Sequence, residues 1–350
     1  MLLQKNIPLA PLTTLGVGGS ACYFAEARNL DDARQAAAIA GTNNWPLLVL
    51  GGGSNLVVSD AGFPGLVLKI AITGIGWRRE DSHIVFEAGA GEDWDSLVAS
   101  TVRQDCAGLE CLSGIPGTVG GTPVQNVGAY GQEVAETIQE VQALDLRSGE
   151  VVSLGADACR FAYRKSIFNT IDAGRYIILR VSFALTTGGE PHIAYADLKK
   201  CFAGRPGKPT LQETRDAVRQ IRLSKAMLIV PGDDDARSAG SFFKNPVVDE
   251  SEYQRLAALA ASRGLQVPRF QTAQGIKVSA AWLVEQSGLQ KGYQKGRVGI
   301  SRRHALAIVN RGCATAAEVV ALKDEIQQRV FDAFGLQLTP EPVFVGFERE

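Results

Sequence analysis

An α+β fold spread over more than one domain is what this chain predicts, on three observations. Its 350 residues exceed a single domain at about 150 residues each. Helix-like and strand-like periodicities are interleaved, with a β-rich middle and a helical block near the end. Glycine makes up 38 of the 350 residues, about 11% against a usual share of about 7%, and an excess of that kind points to backbone held close to a ligand.

The elements follow in order. Asn29 is placed to cap a helix with Asp31 and Asp32 in its first turn, an alanine-rich middle and Gly41 as its stop. PLLVL, ending at Leu50, reads as a buried strand feeding a glycine loop, and strands are predicted at Leu66 to Ile70 and His83 to Ala88. From about Asp93 a helix puts Trp94, Leu97, Val98 and Val102 on one face. Apolar runs from Ile138 to Leu154 flank Arg147, Ser148, Gly149 and Glu150 as a hairpin, and YIILRVSFAL from Tyr176 is another strand. Thr210 with Glu213 forms a capping box for a helix carrying Val218 and Ile221.

At Lys225 the composition changes, and a domain switch falls there, followed by two or three helices. The last of them has Thr315 and Glu318 as its capping box, Val319, Leu322, Ile326 and Val330 at helical spacing, and Gly335 as its stop. Val343, Phe344 and Val345 form a lone final strand, which must pair with strands built elsewhere.

Composition excludes several classes. With 45% hydrophobic residues the chain can bury real cores, and 36 basic against 37 acidic residues leave a net charge of −1, so no global field recruits nucleic acid or an anionic membrane. The six cysteines form no CxxC pair and have no histidine at metal-ligand spacing, which implies a reduced compartment and no metal. A lysine and two prolines interrupt the N-terminal stretch, and no later run approaches about 18 apolar residues, so neither secretion nor a membrane span is expected.

Two loops could carry chemistry. LGGGSNLVVSD, from Leu50, sets Gly51, Gly52, Gly53, Ser54 and Asn55 after a strand, where backbone N–H groups could surround a diphosphate. It lacks GK[ST] and GxGxxG, and a tight turn between strands is the other reading. SGIPGTVGGTPVQNVGAYG, from Ser113 to Gly131, holds six glycines and two prolines in nineteen residues, a density hard to explain by turns alone. Its Gln125, Asn126 and Tyr130 offer polar and aromatic groups to a flat heterocycle with a phosphate tail. Two such loops suggest one long cofactor.

These motifs, together with TTLGVGG at Thr13, FAYRKSIFN at Phe161, AGSFFKNP at Ala239 and LTPEPVFVG at Leu338, resemble the UDP-N-acetylenolpyruvoylglucosamine reductases, the MurB family, nearly end to end. The resemblance implies two FAD-binding subdomains of the vanillyl-alcohol-oxidase type plus a smaller α/β substrate-binding domain. Subdomain 1 would span 1–68, completed by 335–350, subdomain 2 would span 69–223, and the substrate domain 224–334. The glycine loop at Gly51 would hold FAD with Ile115, Pro116, Gly117, Gly120 and Gly121 and with Gln125, Asn126, Gly128, Ala129 and Tyr130. Arg222 would lie near the flavin, its bland alternative being a solvated helix-end arginine.

The resemblance further implies that Arg164 holds the substrate carboxylate, that Ser241 is the proton donor and that Glu341 acts with Arg164. Tyr163, Tyr195, Lys225, Asn245 and His304 would contact substrate, Lys225 at the diphosphate. Asp233, Asp234 and Asp235 read as a solvated loop, and His83 and His192 as ordinary surface or strand residues. The implied activity is NADPH-dependent, FAD-mediated reduction of an enolpyruvyl sugar nucleotide, by a cytoplasmic, monomeric enzyme. A flavin oxidase of the same superfamily and a nucleotide-binding protein without turnover are the competing readings.

Overall fold

Three alanines set the spacing of the first layer. Ala33, Ala36 and Ala40 are fully shielded on one face of the helix Leu30–Thr42, whose start is closed by Asp32 N–H donating to Asn29 Oδ1 at 2.9 Å. Side chains this small let the helix approach the sheet closely. The computed structural model describes residues 1–80, 83–272 and 275–348. Its chain divides into two units, one of Met1–Ile7, Ala21–Gly53 and Phe63–Leu228, the other of Pro8–Ser20, Ser54–Gly62 and Ile229–Glu350.

The first unit contains two sheets. In one, Leu47–Leu50 and Ser20–Ala27 run parallel to Phe63–Ile70, with Gln4–Pro8 at the edge. The other is an antiparallel path through Val151–Gly155, Ile138–Asp145, Tyr176–Thr187, His83–Gly89 and Ile75–Glu80. The helix Trp94–Arg103 buries Trp94, Leu97, Val98 and Val102 as its periodicity predicts, and Trp94 meets Phe183 at 5.7 Å. The hairpin turns at Gly149, whose φ of +76° suits glycine.

In the second unit the helices Glu250–Ala261, Ala280–Gln286 and Ala316–Phe334 pack with short antiparallel ladders around Phe242, Phe243, Leu283, Leu322 and Phe334. Leu15, Val17 and Val57 join this core from far upstream. Both predicted capping boxes form, at Thr210 with Glu213 and at Thr315 with Glu318, and Gly335 closes the last helix with φ +67°. The final strand Val343–Val345 pairs in parallel with Leu56–Val58.

Some expectations change. Gly41 does not stop the first helix, which continues to Thr42; Asn43 Nδ2 takes up the Ile39 carbonyl and the chain reverses at Asn44 with φ +53°. The strands Gln4–Pro8, Ser20–Ala27, Leu56–Val58 and Ile75–Glu80 have no counterpart in the sequence reading. Ile75–Glu80 is exposed at all six positions, so it carries no buried-face alternation. Among the described residues, no helix is long and apolar enough to cross a membrane.

Candidate functional site

The two glycine loops of the first unit meet backbone to backbone. A Cβ on Gly52 would lie 2.6 Å from the Cα of Gly117, and one on Gly51 would lie 2.8 Å from Thr118 Oγ1. That hydroxyl is buried and has no hydrogen-bond partner among the described residues. Backbone bonds fix the second loop: Trp94 N–H donates to Gly117 O (3.1 Å), Val119 N–H to Glu92 O (2.9 Å) and Gly120 N–H to Ala90 O (2.9 Å). Ile115, Pro116 and Gly120 are half-buried and Gly121 is exposed.

Further along, Gly128–Ala129 pairs with Gln132–Glu133 across a two-residue turn in which Tyr130 and Gly131 both have positive φ, +51° and +92°. Such turns favour Asn or Gly, and a tyrosine held there costs about 1–3 kcal/mol. Asn126, at φ +45°, has its amide committed to Glu133 Oε2 (2.9 Å), the Ala162 carbonyl (3.2 Å) and the Ala135 N–H (3.1 Å). Gln125 is half-buried beside it.

Arg164 occupies a second strained turn, closed by mutual backbone bonds of 3.0 Å between Ala162 and Lys165, with φ +56°. Its guanidinium donates to Gly128 O (2.8 Å) and Asn126 O (3.4 Å) and lies 5.2 Å from the Tyr163 ring. A Cβ on Gly128 would come within 3.2 Å of Arg164 Nη1, so glycine there admits the guanidinium. Left-handed Asn126, Tyr130 and Arg164 thus converge on one backbone knot, the kind of stored strain found where side-chain aim matters.

Arg222 is not a solvated helix-end arginine. It is buried, donating to Gly114 O (3.0 Å) and Met227 O (2.7 Å), and burial pulls its pKa down. Tyr130 meets Tyr195 edge-on at 5.3 Å, and burial pushes the Tyr130 phenol up against the opposing pull of Arg222 and Lys225. Lys225 pairs with Asp197 at 2.6 Å; half-burial works against its charge, and the Asp197 hydrogen bond and charge, with the nearby phenols of Tyr130 and Tyr195, together more than offset this, leaving its pKa raised. Asp197 was not read from the sequence, although it stands two residues after Tyr195 in the same helical turn.

In the second unit, Ser241 and Glu341 lie on neighbouring paired segments. Glu341 N–H donates to Phe242 O (2.9 Å), Phe243 bridges Pro340, and Asn55 Nδ2 donates to Glu341 O (3.3 Å). Ser241 Oγ lies 2.9 Å from His304 Nε2. Glu341 is half-buried. Asn245 uses its Oδ1 to accept from Ala280 N–H (2.9 Å) at a helix start. Ser54 O faces Thr14 Oγ1 at 3.4 Å.

The aspartate run is solvated only in part: Asp234 is exposed. Asp235 is buried against Arg311 and Arg303, and Asp233 pairs with Arg303. Among the described residues, no group of three or more metal-ligating side chains is assembled. His83 and His192 are exposed, and His192 N–H donates to Glu110 Oε1 (2.9 Å).

Residues 21–155, which include both glycine loops, match a family described as an FAD binding domain, and that is the class of protein to which this part of the chain belongs. Residues 232–345 match UDP-N-acetylenolpyruvoylglucosamine reductase, C-terminal domain. The chain is 43% identical over 350 residues to the reductase of that name from Thermobifida fusca, covering 98% of each chain. It is 45% identical over 352 residues to the one from Streptomyces avermitilis, covering 98% of this chain and 95% of the relative. The solved UDP-N-acetylenolpyruvylglucosamine reductase of Thermus caldophilus superposes with a TM-score of 0.67 at 26% identity, covering 98% of this chain and 100% of its own.

The chain belongs to the UDP-N-acetylenolpyruvoylglucosamine reductase family. The mixed helix and strand content and the FAD-binding domain expected from the sequence hold. The residues present fit FAD: the two glycine loops pack so closely that a Cβ on Gly51 or Gly52 would strike the facing loop, and the shielded Thr118 hydroxyl there has a hydrogen bond left to make.

Proposed function

We propose that the chain reduces UDP-N-acetyl-3-O-(1-carboxyvinyl)glucosamine to UDP-N-acetylmuramate, with NADPH as reductant and FAD as cofactor, in peptidoglycan precursor synthesis and hence cell-wall growth, shape and division. The loops at Gly51–Asn55 and Ile115–Tyr130 would hold FAD, which would supply two-electron chemistry between NADPH and the vinyl group of the substrate. The chain's own residues do the rest. The Arg164 guanidinium, already aimed by its turn, stabilises the negative charge that grows on C2 and the substrate carboxylate. Glu341 acts with it on that carboxylate. Ser241 Oγ gives the proton to C2, which a hydroxyl can do only because the enolate-like carbon is a strong base. Tyr163, Tyr195, Lys225, Asn245 and His304 contact the sugar nucleotide, Lys225 at its diphosphate.

The observation that supports this reading is the backbone bond joining Glu341 to Phe242, which puts the residues Ser241 and Glu341 on adjacent backbone, with the Ser241 hydroxyl 2.9 Å from the His304 imidazole. The three-part division at 68, 223 and 334 is proposed with it. The pairing of Val343–Val345 with Leu56–Val58 supports a returning C-terminal segment, although the compact units group 54–62 with 229–350. A monomer in the cytoplasm completes the proposal.

Mixing the yellow protein with NADPH should bleach it, and adding the enolpyruvyl sugar nucleotide should restore the colour. Ser241→Ala should bleach normally and fail to recover. Recovery at the wild-type rate, or hydrogen peroxide formed in place of the lactyl ether, would overturn the assignment.

A further inference from the structure

We infer that the buried carboxylate of Asp235 fixes the orientation of His304, and that His304 donates through Nε2–H to Ser241 Oγ, making both of them positioning residues for the proton transfer. The inference rests on Ser241 as proton donor and extends that reading to the residues that hold it.

The chain brings Ser241 and His304 together on two strips of backbone zipped to each other. Asn310 N–H donates to Arg237 O (2.9 Å), Ser238 bridges Val309, and Phe242 N–H donates to Leu306 O (2.8 Å). His304 sits at the turn joining Ile300 to Ala307, closed by Ser301 N–H to Ala307 O (2.9 Å) and Ala307 N–H to His304 O (3.2 Å). Asp235 anchors the approach to that turn. Its Oδ2 accepts from Arg302 N–H (3.1 Å) and lies 3.6 Å from Arg303 Nε, while its Oδ1 pairs with Arg311. Asp233 takes the other side of Arg303 and accepts from Asp235 N–H (3.0 Å).

Two carboxylates, Asp233 and Asp235, thus neutralise two guanidiniums, Arg303 and Arg311, in a site where Asp235 is only 5% exposed. A charge-assisted network that is buried and satisfied holds its geometry far better than a surface pair.

The direction of the hydrogen bond follows from the chemistry. If Nε2 accepted, the serine proton would point at the imidazole and away from C2. With Nε2–H donating, the serine proton is free to leave. The O–H electron pair stays on Oγ, the new C–H bond forms at C2, and the alkoxide is stabilised by Nε2–H until solvent returns a proton.

The test uses the full-length, FAD-loaded protein with its histidines labelled with nitrogen-15; the chain has 3 of them, so assignment is direct. Long-range proton–nitrogen spectra should show His304 Nε2 protonated, with its resonance moving in Ser241→Ala and in Asp235→Asn, while His83 and His192 stay in place. In half-reactions, His304→Ala should recover colour about 10²-fold more slowly at saturating sugar nucleotide, the scale of one positioned proton-transfer group, a loss larger than any change in its bleaching by NADPH. His304→Gln, whose amide N–H can reach the same place, should regain part of that loss. If Asp235→Asn does not fold, Arg303→Gln gives the same histidine readout.

An unprotonated Nε2 in the wild type, or a His304 resonance unmoved by the Asp235 and Arg303 variants, overturns the inference. Normal colour recovery by Ser241→Ala would instead sink the donor reading itself, and the spectra would still judge the Asp235–His304 coupling.

Discussion

Gly52 lies so near Gly117 that a Cβ on the first would fall 2.6 Å from the Cα of the second, closer than real side chains approach backbone. The contact locks one glycine loop of the proposed FAD cradle against the other. Gly52→Ala should therefore push the loops apart by overpacking worth about 1–3 kcal/mol. At about 1.4 kcal/mol per tenfold, FAD affinity should fall by roughly ten- to a hundredfold. The ratio of flavin to protein absorbance after dialysis measures this, with far-ultraviolet dichroism unchanged. Retention of FAD at the wild-type level would mean that the cradle lies elsewhere.

Arg164 invites a second substitution, because its aim depends on a turn at φ +56° and on bonds to Gly128 O and Asn126 O. Lysine keeps the charge and loses the fork. Arg164→Lys should leave bleaching by NADPH nearly intact while slowing colour recovery by about 10²–10³-fold, the usual cost of losing one preorganised charge stabiliser. Equal slowing of both half-reactions would argue against a role confined to the substrate carboxylate.

Much of this arrangement could be read from the chain, and the unread part has a physical cause. Local signals carried through: the Thr315–Glu318 capping box, Gly335 at the helix end and the one-sided burial of Trp94, Leu97, Val98 and Val102 all depend on neighbours within a few residues. The strand Ser20–Ala27 escaped notice because it is paired with Phe63–Ile70, about forty residues away, and its burial pattern does not alternate. Asp235 looked like one acid in a charged run because the partners that bury it, Arg303 and Arg311, come about seventy residues later. The proximity of His304 to Ser241 was invisible for the same reason.

Asp145 sets a pH dependence of stability. Hydrogen bonds from Arg175 Nη2 (2.6 Å) and then from the Arg147 N–H (2.9 Å) hold its carboxyl down to about 2, against an ordinary value of about 3.9. A carboxyl depressed by folding adds stability that is complete above its unfolded pKa and is lost as pH falls through the folded one. Asp145→Asn should thus lower the denaturant midpoint at pH 6. The gap to wild type should narrow below about pH 4 and close near pH 2. A gap that stayed constant across that window would show that the pair contributes through packing and not through charge.

The Lys225–Asp197 pair makes the opposite kind of prediction, because its cation is proposed to serve a ligand. At 2.6 Å and about one-third exposed on both sides, the pair is a competitor that an incoming diphosphate must displace. Half-burial alone would depress the lysine, and the hydrogen bond and charge of Asp197 are the main influences that keep its pKa raised. Lys225→Ala should raise the substrate KM with little change in NADPH bleaching. Asp197→Asn should lower that KM, by no more than about fivefold, since partly exposed pairs are worth about 0.2–1 kcal/mol. Steady-state kinetics at two ionic strengths check both, and the Asp197 effect should shrink in high salt. A rise in KM for Asp197→Asn would instead show that the carboxylate holds Lys225 in the pose that binds.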